Sequence, residues 1–276
     1  MYPDTLFTIF GLEVDFYTIF FLVGLIACIA FTIIAMKKSN YSSSASDTII
    51  LIGIFAIVVG LFSALIFQSF YDYLADPSAG FIISGRMTFL GGLIGGVVSY
   101  LGLYFLFVYV INPRLKKGNI LKANMNKGLF ELLQFAPISI TIAHAFGRVG
   151  CVFAGCCYGL PTEAWYGIHF ESTTTEVIPT QLFEAVFLFL LTGVMIVLYF
   201  KYKFRFNLGV YLISYGVWRF LIEYLRDDDR GGFVPGMSPS QFWAIIMVVA
   251  GIAFIYIYRH FLNQKDNKSA TQGDAK

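Results

Sequence analysis

The sequence predicts an all-α, polytopic membrane protein with seven transmembrane helices, its N-terminus outside the cell and its C-terminus in the cytoplasm. Three observations predict this: the composition, seven long apolar runs, and a one-sided distribution of basic residues. Of 276 residues, 58% are apolar or aromatic and only 13% are charged, against about 25% charged in an ordinary soluble domain. Mean hydropathy is +0.73. Such a composition excludes a disordered chain and argues against a soluble enzyme. Its 4 cysteines are too few for a disulfide-stapled secreted domain. A net charge of +2 leaves no electrostatic footprint for nucleic acid.

A helix needs about 20 apolar residues to cross about 30 Å of hydrocarbon. The first such run, Val14–Met36, is too long for a signal-peptide core and has no basic residues before it, so it reads as a first span. The polar linker Ser39–Asp47 leads to the second, Thr48–Tyr71. The third, Met87–Ile111, carries GGLIGG at Gly91–Gly96, a spacing that predicts close helix packing. Leu129–Phe146, Gln181–Phe200, Leu208–Tyr224 and Gln241–Tyr258 complete the set. The runs are continuous, whereas an outer-membrane barrel alternates. Residues 1–262 form one transmembrane domain without internal repeats, and residues 263–276 a disordered cytoplasmic tail.

Seven spans place fourteen of the 19 basic residues on one side, including all eleven lysines. That side is cytoplasmic by the positive-inside rule. The five left over are Arg86, Arg148, Arg219, Arg226 and Arg230. All are arginine, whose planar fork grips phosphate or carboxylate through paired hydrogen bonds. An anionic ligand at the outer face is the functional reading. For Arg226 and Arg230, beside Asp227, Asp228 and Asp229, simple charge pairing is favoured.

Two constellations stand out. In the sixth span Arg219 lies near mid-membrane, with Glu223 and Arg226 on the same face. Burying Arg there costs about 2.5–3.5 kcal/mol, against about 0.3–0.5 kcal/mol from an exposed pair, so function is favoured over packing. The second, Ala143–Gly159, is placed at the end of the fourth span and in the outer loop after it. It holds His144, Arg148, Cys151, Cys156, Cys157 and Gly159. For the cysteines, packing ranks first, then a disulfide from Cys151 to Cys156 or Cys157, then a nucleophile. Metal ranks last, because C-x4-C-C matches no usual zinc spacing. Tyr17, at the outer edge of the first span, reads by default as an interface tyrosine. Glu184 is an acid inside an apolar run. Cys28 reads as core; His169 and His260 receive no role.

Together these segments resemble the prolipoprotein diacylglyceryl transferase family. GRVGCVFAGCCYG resembles the family signature, MTFLGGLIGG its Met-Ser-x-His-Gly-Gly segment, PTQLFEA its Pro-Ser-Gln-Leu-Tyr-Glu, and RFLIEYLRDDD its Arg-x-x-x-Glu-x-x-Arg-x-x-Asp. Tyr17 matches an early family tyrosine. The resemblance implies transfer of the diacylglyceryl group from phosphatidylglycerol to the lipobox cysteine thiol of a preprolipoprotein, with glycerol phosphate leaving. This would take place at the outer face of the bacterial plasma (inner) membrane. It implies Arg148 and Arg219 at the phosphate, and Glu223 either holding Arg219 or accepting the thiol proton. Tyr17, Glu184, Cys151, Cys156 and Gly159 are the further expected substrate contacts.

The chain also departs from the family pattern. Leu90 replaces a His often taken as catalytic, Cys151 the signature Asn, Cys156 its acidic residue, and Ile178 a His before Pro-Ser-Gln. The phosphate side therefore looks kept and the proton-handling side altered, with His144 or a cysteine as the substitute base. The expected partners are phosphatidylglycerol, a signal peptide with a lipobox Cys, and the lipid bilayer. No metal or organic cofactor is required by this chemistry. Two alternatives remain open at this level: a transferase with a non-lipoprotein acceptor, and a non-enzymatic lipid-binding or transport protein.

Overall fold

A computed structural model describes residues 6–9, 12–83, 88–125, 127–226 and 236–273. Arg86, Met87, Asp227, Asp228, Asp229, Arg230 and the Leu90 side chain lie outside the described residues. The chain opens with a short antiparallel hairpin, β1 (Phe7–Ile9) and β2 (Leu12–Val14). Every other named element among the described residues is helical. Among the described residues, six helices are long and apolar enough to cross a membrane: Phe16–Lys38, Ser43–Leu74, Gly91–Arg114, Ala136–Phe153, Thr180–Phe200 and Pro239–Gln264. The exposed large residues include Ile26, Phe62, Val98 and Leu190, whereas Gln181, Glu184 and Asn207 are wholly buried. Apolar outside and polar inside is the pattern that hydrocarbon selects, because unpaired polar groups are costly there.

The chain forms two compact units. The first comprises Met1–Thr32 and Leu129–Lys276. It holds most of α1 (Phe16–Lys38), α5 (Leu129–Leu132), α6 (Ala136–Phe153), α7 (Thr180–Phe200), α8 (Asn207–Ile222) and α9 (Pro239–Gly273). Helix α6 packs on α7, and α8 on α9. Between Phe16 and Thr32, α1 touches α6 at several points: Gly24 lies against Ala143 and Phe146, Thr32 donates to Ser139 at 2.8 Å, and Phe16 and Phe20 stack on Phe153.

Two sequence expectations change here. The fourth span, expected at Leu129–Phe146, is Ala136–Phe153. Pro137, lacking an N–H, belongs in a first helical turn, so the apolar run breaks before it. The shift carries Arg148, Gly150 and Cys151 out of the expected loop and into the helix. The sixth expected span, Leu208–Tyr224, is represented by α8 (Asn207–Ile222), which is not among the six helices long and apolar enough to cross. At 16 residues, α8 reaches about 24 Å, and a 3-10 turn, Glu223–Leu225, follows it. At the other end of the chain, α9 runs to Gly273.

The second unit, Ile33–Gly128, pairs α2 (Ser43–Ala75) with α3 (Phe89–Leu106). The GGLIGG glycines make this contact, as expected. Gly60 faces Gly92 and Gly96, a Cβ on Gly91 would stand 2.5 Å from that of Phe67, and a Cβ on Gly95 would overlap Ser63. The Ser63 hydroxyl donates to the Gly91 carbonyl at 2.8 Å. After α3 a π-helical turn, Phe107–Ile111, precedes α4 (Asn112–Arg114). Pro113 would clash with the Tyr109 carbonyl in an ordinary helix, and the wider turn accommodates it. Gly95→Ala should push a methyl group into Ser63 and cost about 1–3 kcal/mol, lowering the thermal midpoint in detergent. Gly102→Ala, with nothing within 4 Å of its new carbon, should not lower it.

Candidate active site

Three helices of the first unit converge on one carboxylate. Glu184, in the first turns of α7, is wholly buried. Its Oε2 lies 3.1 Å from Arg148 Nε of α6, and its Oε1 accepts from the Tyr215 hydroxyl of α8 at 2.7 Å. His144, one turn before Arg148, places Nε2 3.8 Å from Oε1 and accepts from Arg148 Nε at 3.4 Å. The His144 and Tyr215 rings meet edge-on at 5.0 Å. A buried charge must be paired and hydrogen-bonded; Arg148 supplies the pairing charge and Tyr215 the hydrogen bond at Oε1, while Oε2 faces Arg148 with no hydrogen bond among the described residues. Arg148 meets both partners through Nε alone, so its terminal nitrogens have no acceptor among the described residues.

A second cluster sits at the end of α8. Arg219 Nη2 lies 2.9 Å from Glu223 Oε2 and donates to Ser240 at 2.8 Å. Arg226 Nε stands 3.9 Å from the same Glu223 oxygen, and Ser238 donates to Glu223 Oε1 at 2.9 Å. Arg219 Nη1 is buried without a hydrogen-bond partner among the described residues. The two serines belong to the start of α9, where Ser238 and Gln241 form a reciprocal capping box. The Ser238 N–H donates to Gln241 Oε1 at 3.1 Å, and the Gln241 N–H to Ser238 Oγ at 3.2 Å. The S-P-S-Q pattern is a recognisable helix start in the sequence, yet Ser238, Ser240 and Gln241 were missed as site residues.

The cysteines form a third feature. Cys151 is in the last turn of α6, and the chain reverses through left-handed Gly155 (φ 61°) and Cys157 (φ 65°). The Sγ atoms of Cys151, Cys156 and Cys157 lie within 4.8 Å of one another, and all are free thiols. Hydrogen bonds from Cys151 and then Cys156 draw the Cys157 thiol below its ordinary value, aided by Arg148 and Arg226. Cys156, despite a hydrogen bond from Cys151, is pushed up to about 11 by its bond to Cys157 and by burial.

The segment after the cysteines is tied on both sides. Gly159 N donates to Ile178 O at 2.8 Å, and Leu160 N to Leu225 O at 2.9 Å. A side chain on Gly159 would strike the Leu225 carbonyl, so the backbone of Gly159 is what this position uses. Tyr17 packs its ring and backbone against Gly150, where a Cβ would stand 3.1 Å from the ring. Gln181 is wholly buried with both amide atoms unpartnered among the described residues. It shares a face of α7 with Glu184 and carried no weight in the sequence reading.

The fold thus gathers Arg148, His144, Glu184 and Tyr215 into one network and Arg219, Glu223 and Arg226 into another. Arg219 also adds its charge to the field at Glu184 and His144, so the networks are electrostatically joined. Two arginines fixed from behind by carboxylates, with forward nitrogens available, suit the recognition of a phosphate and of charge developing on it.

Comparison with known proteins agrees with this chemistry. The family model for prolipoprotein diacylglyceryl transferase matches residues 4–257. A phosphatidylglycerol–prolipoprotein diacylglyceryl transferase of Clostridium tetani (strain Massachusetts / E88) is 29% identical over 273 residues, 94% of this chain and 98% of the relative. A second, numbered 2, of Clostridium perfringens (strain 13 / Type A), is 30% identical, covering 88% of this chain and 91% of its own. One from Dehalococcoides mccartyi (strain ATCC BAA-2266 / KCTC 15142 / 195) is 28% identical over 95% and 96%. Since the match runs from the first hairpin into α9 and includes both arginine networks, this chain belongs to the prolipoprotein diacylglyceryl transferase family.

Proposed function

We propose that this protein transfers the diacylglyceryl group of phosphatidylglycerol to the lipobox cysteine thiol of a preprolipoprotein at the outer face of the bacterial plasma membrane. The observation that carries this reading is the pair of arginines, each held by its own carboxylate, in a chain of this family. Arg148 binds the phosphate through its terminal nitrogens while Glu184 holds Nε. Arg219 offers Nη1 to the charge that gathers on the phosphate as the carbon–oxygen bond to the glyceryl group breaks. Glu223 already serves Arg219, Arg226 and Ser238, which favours a positioning role over that of a base. His144 accepts from Arg148, so its lone pair is engaged and it too positions. Tyr17 and Gly159 shape the surrounding walls.

The same reading makes α8 a seventh span, with the N-terminus outside and the C-terminus cytoplasmic. Support comes from the lysines, which this arrangement places on one side. A short α8 suits a helix whose outer end is a reaction site rather than a lipid interface.

The direct test supplies purified protein with labelled phosphatidylglycerol and a lipobox cysteine peptide, and weighs the products. A peptide gaining the diacylglyceryl mass is expected. Lipid cleavage without peptide modification would point to another acceptor, and no lipid turnover from folded protein would overturn the reading. Arg148→Ala should lose about 10²–10³-fold in turnover, the scale for removing one preorganised donor, and Arg148→Lys should not restore it, lacking the fork. Glu184→Gln should abolish transfer and destabilise the protein by about 3–5 kcal/mol, because Arg148 is left unpaired. Tyr215→Phe removes one bond to a charged acceptor and should cost about 1.5–3 kcal/mol. His144→Gln should fall well short of the about 10²–10⁴-fold loss expected of a general base, and the acidic limb of its pH–rate profile should persist; disappearance of that limb would return the base role to His144.

A further inference from the structure

The proposed reaction needs an acceptor thiol to lose its proton, and the described site holds no evident base. His144 faces Arg148, Glu184 is tied to Arg148 and Tyr215, and Glu223 to Arg219 and Ser238. What the site holds instead is sulfur. The C-x4-C-C spacing argues against a metal while it is read as open loop. The fold reverses that ranking, because the left-handed turns at Gly155 and Cys157 curl the chain back onto the end of α6. Three Sγ atoms then stand within 4.8 Å. Two thiolates on a tetrahedral zinc, each at about 2.3 Å, stand about 3.8 Å apart, so small rotamer changes suffice.

The cluster is also braced in the right place. Cys151 lies one helical turn beyond Arg148, on the same face of α6. The Thr180 hydroxyl donates to the Cys157 carbonyl at 2.9 Å, fastening the loop to α7. Gly159 bridges to Arg226 at the end of α8. Arg148 and Arg226 thus stand near a site whose three thiolates and one divalent cation carry a net negative charge.

We propose that Cys151, Cys156 and Cys157 bind a zinc ion, and that its fourth coordination position takes the acceptor cysteine as a thiolate. Three protein ligands with one position open is the arrangement of reactive rather than structural zinc, and a thiol bound to such a cation is deprotonated outright. The inference rests on the transfer reaction proposed above. The acceptor thiol binds zinc and releases its proton to water. The bound sulfur then attacks the glyceryl carbon: a sulfur–carbon bond forms, and the carbon–oxygen bond to phosphate breaks. The electron pair of that bond leaves with glycerol phosphate beside Arg148. The thioether formed is a weak ligand and departs. Nothing is oxidised or reduced.

The test uses the full chain in detergent, reduced with a phosphine, given zinc chloride and desalted. One equivalent of zinc is expected by elemental analysis, and Cys156→Ser/Cys157→Ser, checked by thermal unfolding, should retain none. Cobalt(II) in place of zinc should give a sulfur-to-cobalt charge-transfer band that changes when a lipobox cysteine peptide is added and not with its serine counterpart. Chelation should abolish transfer, and zinc should restore it. Failure of the reduced wild-type chain to hold zinc would overturn the site. A cobalt band indifferent to the cysteine peptide, or full transfer by the chelated protein, would overturn the role of the fourth position. If the zinc-loaded protein transfers nothing, the enzymatic reading fails, and the cobalt titration still decides for or against thiol binding.

Discussion

Keeping the Glu184 carboxylate ionised away from water is the constraint around which the first unit is arranged. An isolated buried charge costs several kcal/mol even after relaxation, and Glu184 has no exposed surface. The cost is met by Arg148 from α6 and Tyr215 from α8, with His144 closing the ring. Each partner comes from a different position along the chain, so the network fixes the register of α6, α7 and α8 against one another. It also fixes the direction of the Arg148 guanidinium. An arginine free to choose its rotamer loses entropy on meeting a phosphate, whereas one held at Nε has already lost most of it.

The same logic recurs at α8 with different means. Arg219 and Glu223 are neighbours on one helix, and such pairs are weak when exposed. Here a second helix makes the pair specific. The start of α9 is closed by Ser238 and Gln241, and the capping serine also donates to Glu223 while Ser240 receives Arg219. A device that normally ends a helix therefore sets the position of a charged group. Moving the start of α9 by one residue would detach both serines from the pair.

The sequence made the membrane character legible because composition and run length are summed over many residues and tolerate local error. It also made Arg148, Arg219, Glu223 and Glu184 legible, since a charge inside an apolar run is conspicuous. Boundaries set by single residues were harder. Pro137 moved α6 by seven residues relative to its expected start, and the apolar stretch from Leu129 hid this because hydropathy does not register a missing N–H. Tyr215 and Gln181 were missed for another reason: a tyrosine or glutamine in a helix is ordinary until its partner, or lack of one, is known. The cysteine triad depended on two left-handed residues, and no pattern in the sequence marks Cys157 for that conformation.

Where the chain keeps the family pattern and where it departs follow the division of labour in the site. Arg148, Arg219 and Glu223 match the pattern, and these are the groups suited to phosphate, a ligand whose charge and shape leave few alternatives to arginine. Leu90, Cys151, Cys156 and Ile178 depart from it, at positions where the resemblance places nitrogen and oxygen groups. Ile178 is buried and its carbonyl and N–H pair with Gly159 and Leu160, so its backbone braces the cysteine loop whatever its side chain. Replacing polar groups by sulfur around a retained phosphate site changes how a proton can be removed, not what is bound. Ionising a thiol requires either a base or a Lewis acid. With the nearby carboxylates and imidazole engaged in holding the arginines, the groups left to meet that requirement are the three converging thiols.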